Sequence, residues 1–519
     1  MSARPAPGEA PAEDGRYDVV VVGYGAAGAA AAIAAHDAGL QVLLVEKMPF
    51  PGGLSVVSAG GARIAFDAEA ATRYLVATCG GRTPEAVLRR LGEGMAQLPA
   101  WMRSLAREVG ATVRVTPAQG NYPFPGFDRL GYVEVQALAP GDGGGDDAQD
   151  GEPPVSTLGA NFFGLLRQCV ERRGIELRLG CAARRLLRDA QGAVRGIELE
   201  HEGRRLRVGA RAGVVLACGG FEANAQMQQQ YFETTGVLTA SFLGNTGDGI
   251  AMAQEVGAQL WHMWHFHGPY GFRHPDPAFR YGLYPKNFPM WTPGHHPGAL
   301  PRMPWIIVDR QGRRFANEYE PYPGDTGVRH FAHFDPASAT HDRLPAYMLL
   351  DDAGFRLYTL GKAVANDPAL RFRWSEDNTR ELALGIFRSA PSVAALAELA
   401  GIAPASLARA VDAWNAACDA GADGDFGRRP ETMMPLRRAP YYLAEVWPLV
   451  INTQGGPAHD PQQRVLDVHG QPIAGLYAAG ELGSVFGHVY MAGGNLAECL
   501  VGGRHAAEHL AWRRERCPS

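Results

Sequence analysis

Apolar residues cluster in short runs that do not alternate with polar ones. Tyr17 to Gly23 (YDVVVVG), Gln41 to Val45 and Val214 to Gly220 (VVLACGG) are mostly β-branched or aliphatic. Such runs predict strands buried on both faces, as in a parallel sheet covered by helices. Between the first two lies an alanine-dense stretch, Ala26 to Ala38, with high helix propensity and little bulk, suited to close packing on a sheet. Further along, the spacing predicts an amphipathic helix over Ala160 to Arg173, a strand over Glu176 to Leu179 and a hairpin through Asp189 to Glu200. Ser392 to Cys418 reads as helical.

Glycines punctuate these elements. Gly23, Gly25 and Gly28 complete G-x-G-x-x-G between the first strand and the alanine-rich helix, and Glu46 ends the second strand 18 residues after Gly28. The glycines permit a tight turn and let a pyrophosphate approach the helix N-terminus, whose amides and dipole favour anions; Glu46 is placed to hold a ribose hydroxyl. A second glycine-rich stretch, Pro51 to Gly61 (PGGLSVVSAGG), follows directly. A flavin extends beyond its ADP half and needs backbone amides further along, so FAD is favoured over a nicotinamide dinucleotide. Asn245 to Ile250 (NTGDGI) opens a helix where amides could again meet a cofactor.

From about residue 261 to 441 the composition turns aromatic, His-rich and Pro-rich; from 442 it returns to the earlier style, with LYAAGE at Leu476 to Glu481 and a glycine-rich helix start at Gly493 to Asn495. The expected organisation is a tail at 1–16, a cofactor domain over 17–260 and 442–519, and an inserted cap or substrate domain over 261–441. Pro140 to Pro154 (PGDGGGDDAQDGEPP) reads as a flexible surface loop.

Composition narrows the function classes. A chain of 519 residues, 46% hydrophobic, can fill two cores. Its formal net charge of -5, with no long basic run, gives no sign of a nucleic-acid or anionic-membrane partner. No run approaches the roughly 18 apolar residues of a membrane helix. The seven cysteines lack disulfide, haem or zinc spacing, which fits reduced thiols and a cytoplasmic setting. His262, His265 and His267 are spaced i, i+3, i+5, which matches no single helix face, and no Cys or carboxylate cluster accompanies them; they predict an aromatic, His-rich pocket wall rather than a metal site.

The ordered set G-x-G-x-x-G, Glu46, GGLSVVSAGG, LACGGFEAN, NTGDG, GRRFANE, LYAAGE and GGN resembles the fumarate reductase and 3-ketosteroid dehydrogenase superfamily of flavoproteins, from Tyr17 to Arg504. The resemblance implies an α/β fold: a discontinuous Rossmann-type FAD-binding domain with an inserted α+β capping domain. It implies hydrogen transfer across a carbon-carbon bond beside a carbonyl. It also implies cofactor contacts from Gly23, Gly25, Ala26, Ala27 and Gly28; from Glu46 and Lys47; and from Gly53, Leu54, Ser55, Ala59, Gly60 and Gly61. Ala183, Cys218, Gly219, Thr246, Asp248, Gly480, Glu481, Asn495 and Leu496 complete the implied set.

Departures from the family pattern select a branch. Leu54 stands where succinate dehydrogenase-like members carry a flavin-linking His, so non-covalent FAD is expected. Fumarate reductases read H-x-M-G-G and N-R-L-G-G-N around their substrate carboxylates; the corresponding stretches here are Asn452-Thr-Gln-Gly-Gly and Tyr490-Met491-Ala-Gly-Gly-Asn. Met491 cannot grip a carboxylate as Arg does. Gly487-His488-Val489-Tyr490 is instead similar to the G-H-x-Y segment of ketosteroid dehydrogenases, with Gly494 matching their following glycine. Asn317-Glu318-Tyr319-Glu320-Pro321-Tyr322 is similar to their N-E-x-x-P-Y run.

The resemblance implies that Tyr490 and the Gly494 amide hold a ketone oxygen, that Tyr322 acts as base at the α-carbon, and that Tyr122 supplies a further tyrosine. On residues alone, a tyrosine in a proline-rich loop reads as packing, and a phenol with pKa about 10 is a weak base at neutral pH without a helping neighbour. Where ketosteroid enzymes continue P-G-P-G, this chain has Met491-Ala492-Gly493-Gly494, which suits a smaller cyclic ketone. The expected activity is introduction of a double bond α,β to a ketone, with a ketone or enone as small-molecule substrate and a separate electron acceptor or donor. The alternatives are the reverse reduction of an enone or unsaturated acid, and a flavin-binding redox sensor or subunit.

Overall fold

The computed structural model describes residues 14–138, 157–285, 302–319, 322 and 324–516. The expected surface loop at 140–154 and most of the expected tail lie outside them. Gly15 and Arg16, assigned to that tail, instead open strand β1, where Gly15 pairs with Val208.

The nucleotide-type unit follows its apolar pattern. Strand β1 (Gly15–Val22) leads into helix α1 (Ala26–Asp37), then strand β2 (Val42–Val45). Strand β3 (Glu176–Arg178) extends the sheet beyond β2, and β4 (Arg204–Leu216) flanks β1 on its other side. All these neighbours run parallel. The side chains of Val19, Val20 and Val21 are fully buried: Val19 and Val21 pack in one cluster with α1, and Val20 packs in another with a hairpin (Cys181–Arg188 with Val194–His201).

A second eight-stranded sheet forms the cap. Its strands β5 (Tyr270–Arg273), β6 (Gly282–Pro285), β7 (Ala346–Asp351) and β8 (Gly361–Lys362) gather around β9 (Tyr441–Val450). Leu238 and Thr239 also pair with the far end of β9, at Leu449 and Val450. The cap sheet therefore reaches past residue 441 and draws on residues before 261. The helical stretch expected over Ser392 to Cys418 is two helices, Val393–Ala400 and Pro404–Ala420, broken at Gly401.

The chain then returns to the first sheet. Strand β10 (Pro472–Ala478) runs parallel to β4, and the closing helix α2 (Gly494–Arg516) packs on α1. That packing is tight: a Cβ on Gly503 would lie 2.5 Å from the Ala27 carbonyl oxygen. Residues far apart in sequence thus meet where β1, β4 and β10 end.

Candidate active site

A cavity of about 520 Å³ opens at those strand ends and runs from the β1–α1 turn to the start of α2. At one end, Gly23 has φ +100° and a Cβ on Gly28 would stand 1.8 Å from the Gly23 carbonyl oxygen. Gly28 does not touch the cavity; it lets the helix close onto the turn. Gly25 borders the cavity, and a Cβ there would meet only Ser55 Oγ at 3.5 Å and the Gly52 oxygen at 3.8 Å, projecting into the open space. Ser55 Oγ accepts the Ala26 amide at 3.0 Å.

The carboxylate of Glu46 accepts the Tyr24 amide at 2.8 Å and the Met48 amide at 2.9 Å, which fixes it at the wall. Burial pushes its pKa up, and those amides and Lys47 oppose the shift without cancelling it. Lys47 Nζ donates to Thr246 Oγ1 at 2.6 Å and Asp248 Oδ2 at 2.8 Å. Its charge is thereby neutralised locally, and the loop before residue 248 is tied to the end of β2.

Along the middle, Ala59, Gly61, Gly53, Leu54, Ala183, Cys218 and Gly219 all border the cavity, as do Ala26, Ala27, Asn495 and Leu496. Gly60 and Gly480 lie behind the wall: Cβ atoms there would meet Leu158 backbone at 2.3 Å and Ala27 Cβ at 2.8 Å. Glu481 borders the cavity beside the buried Glu222. Asn245 Nδ2 donates to both carboxyl groups, at 2.8 Å to Glu222 and 3.2 Å to Glu481. Burial, then for Glu481 the neighbouring Glu222 carboxylate, raises both pKa values.

The other end is built from the cap and the α2 start. Tyr490, Tyr322 and His267 all border the cavity. The His267 and Tyr490 rings are 4.2 Å apart, and Tyr322 Oη lies 3.5 Å from His267 Nε2. Burial raises both phenols; the Asn495 and Gly493 amides oppose this at Tyr490 without reversing it.

Two residues expected to be catalytic are also placed otherwise. The Gly494 amide donates to the Met491 carbonyl at 2.7 Å, and a Cβ on Gly494 would meet Phe486 ring atoms at 2.4 Å. It is the first residue of α2, so its N–H closes the turn behind the wall instead of serving as a free donor. Tyr122 is buried away from the cavity lining; its hydroxyl donates to Asp325 Oδ2 at 2.9 Å and its ring meets Tyr322 edge-on at 6.4 Å. Met491 is fully buried.

The three histidines part ways. His262 Nδ1 faces the Ser484 carbonyl at 2.9 Å, and His265 Nε2 lies 3.3 Å from the buried Asp325. Arg329 donates to the His488 carbonyl and stands 3.1 Å from His265, not at Tyr322. Burial acts to raise Asp325, but hydrogen bonding to and the charge of His265, then Arg329, hold its carboxyl below the usual range. His267 is more than pocket wall: it pairs with Tyr322, which nothing in the local sequence signals. Tyr132 and Tyr284 also border the cavity and carried no motif.

The family described as "FAD binding domain" matches residues 18–496. The chain belongs to that family. Among relatives, it is 28% identical over 499 residues to "Fumarate reductase (cytochrome)" of Shewanella frigidimarina, covering 95% of this chain and 77% of that protein. It is also 28% identical over 580 residues to "3-oxosteroid 1-dehydrogenase" of Mycobacterium tuberculosis, covering 95% and 98%. Among solved structures, 3-ketosteroid delta1-dehydrogenase from Sterolibacterium denitrificans, in complex with 1,4-androstadiene-3,17-dione, superposes with TM-score 0.79 at 26% identity, covering 96% and 99%.

The protein is an FAD-dependent oxidoreductase of the fumarate reductase and ketosteroid dehydrogenase family, with the expected α/β fold. The cavity fits the cofactor: a Cβ-free cradle at Gly25, a fixed carboxylate at Glu46 and a helix N-terminus at Asn495 lie along one continuous space. Among the described residues of this flavoprotein, no helix is long and apolar enough to cross a membrane.

Proposed function

We propose that this flavoprotein is a dehydrogenase that introduces a carbon-carbon double bond α,β to a ketone in a cyclic or 3-ketosteroid-like substrate, with FAD held non-covalently. The observation that carries the reading is the grouping of Tyr490, Tyr322 and His267 on one cavity wall. Among the described lining residues there is no arginine; the positively charged ones are Lys47, engaged by Asp248, and Lys362. A wall of phenols and imidazole suits a neutral carbonyl better than a dicarboxylate.

Bound FAD supplies the acceptor for the two electrons removed as hydride. The protein's residues handle the carbonyl and the proton. Burial keeps the Tyr490 phenol protonated, so it can donate to a ketone oxygen as negative charge develops there. Because the Gly494 amide is engaged, that donation rests on Tyr490. In this reading Tyr322, on the same wall, exchanges a proton with the α-carbon. Burial keeps Tyr322 protonated, so in the reverse direction it holds the proton that the α-carbon must receive, which supports enone reduction as the second reading. Electrons then pass to or from a separate carrier.

The test is anaerobic mixing of the yellow protein with saturated cyclic ketones, 3-ketosteroids and succinate while flavin absorbance is followed. Bleaching by ketones alone, abolished in Tyr490→Phe, supports desaturation. Bleaching by succinate alone overturns it.

A further inference from the structure

Ketone desaturation makes a demand that Tyr322 cannot meet alone, because a protonated phenol must lose its proton before it can take another. Burial first, then the Tyr490 and Tyr132 phenols and the Asp325 carboxylate, hold the Tyr322 phenol well above its ordinary value. Its Oη faces His267 Nε2 at 3.5 Å, a separation common for catalytic hydrogen bonds before substrate closes a site.

The far side of the imidazole decides what Nε2 can do. His267 Nδ1 lies 3.0 Å from Asn452 Oδ1, and Asn452 Nδ2 donates to Asn495 Oδ1 at 2.8 Å. With its N–H engaged by Asn495, Asn452 presents its amide oxygen to the ring. An amide oxygen only accepts, so the imidazole hydrogen sits on Nδ1 and the Nε2 lone pair points toward Tyr322. Burial lowers His267 to about 4, so the ring rests neutral at physiological pH with its Nε2 lone pair unprotonated. The titratable groups facing it are Tyr322, Tyr490, His265, which disfavours the imidazolium, and Asp325, which favours it.

We infer that His267 accepts the Tyr322 hydroxyl proton and so makes Tyr322 the base, an inference that rests on the proposed ketone reaction. The Tyr322 O–H proton moves to His267 Nε2 as the α-carbon–hydrogen bond breaks, and the α-proton ends on Tyr322 Oη. The carbon–hydrogen electron pair forms the enolate double bond, and the carbonyl π pair moves to the oxygen held by Tyr490. One enolate and one imidazolium result, with no net charge change.

The experiment is deuterium exchange. FAD-loaded protein in D2O, with no electron acceptor added, is mixed with cyclohexanone or 4-androstene-3,17-dione, and deuterium at the α-carbon is followed by NMR. Wild type should exchange. His267→Gln and His267→Phe should lose on the order of 10²–10⁴ in exchange rate at saturating ketone, saturation being read from the flavin spectral shift. Asn452→Leu, which removes the Nδ1 acceptor without touching Tyr322, should lose about tenfold. Residual exchange in His267→Gln should climb about tenfold per pH unit above roughly pH 7 as phenolate forms directly, whereas wild type stays flat there. An FAD spectrum and melting temperature like those of wild type certify the fold of each variant.

Exchange at the wild-type rate in both His267 variants, or one pH profile for wild type and His267→Gln, overturns the inference and leaves the ketone reading standing. Absence of exchange in wild type with either ketone overturns the ketone reading and the inference together.

Discussion

The carboxylate of Asp325 accepts the backbone amide of Tyr490 across 165 residues of chain, at 2.9 Å. The same oxygen accepts the Tyr122 hydroxyl at 2.9 Å, and the other faces His265. Asp325 follows Tyr322 by three residues, and its amide donates to the Tyr322 carbonyl at 2.9 Å. One buried carboxylate therefore holds both site tyrosines in register, one through its own turn and one through the partner's backbone.

Removing that carboxylate leaves three donors facing nothing. Asp325→Ala should destabilise the protein by about 3–5 kcal/mol, the range for breaking a buried charged cluster, and Asp325→Asn, which keeps an accepting oxygen, by less. Because the native pKa of Asp325 is depressed, its contribution is present above the ordinary value of 3.8 and is lost as pH falls through the lowered one. Melting temperatures of wild type and Asp325→Asn across pH should therefore differ at neutrality and converge in acid. A gap that widens in acid would refute this account.

At the opposite end of the cavity, Gly28→Ala places a methyl 1.8 Å from the Gly23 carbonyl oxygen. The β1–α1 turn cannot close over that contact. The purified variant should carry little FAD, read as a collapse of the ratio of flavin to protein absorbance, and free FAD should no longer raise its melting temperature.

Tyr490→Phe removes a hydroxyl and nothing else from the wall. It should retain FAD and lose roughly 10²–10³ in turnover of a ketone substrate, the usual cost of one donor to a developing oxyanion. An equal loss in FAD content would mean that the residue supports the fold and not the reaction.

Non-covalent attachment is checked by acid precipitation. Leu54 borders the cavity and has no nucleophilic atom. The yellow colour should pass wholly into the supernatant, with a mass spectrum of unmodified protein in the pellet.

How far the sequence reaches is clearest at Gly28 and His267. The β1–α1–β2 unit, Glu46 at its end and the glycine-rich stretch after it were legible, because a buried parallel strand, a tight turn and a helix start each constrain neighbouring residues in the chain. The resemblance carried the same legibility to Tyr490 and Tyr322, which border one cavity although 168 residues separate them. Local pattern also set most element limits within a few residues, as with the helix expected at Ala160 and found at Thr157–Arg172.

What the tertiary structure alone decided concerns direction and partnership. The Gly494 amide turned inward to Met491 because the turn leading into α2 uses it. Tyr122 went to Asp325 and not to the cavity, and the three histidines of one short run faced three different surroundings. The cap sheet took strands from both sides of its expected limits because β9 pairs with Leu238 and Thr239. Spacing along a chain fixes which residues share a turn or a strand; which way a hydroxyl, an amide or an imidazole nitrogen points is fixed only by the distant groups that satisfy it once the interior is closed.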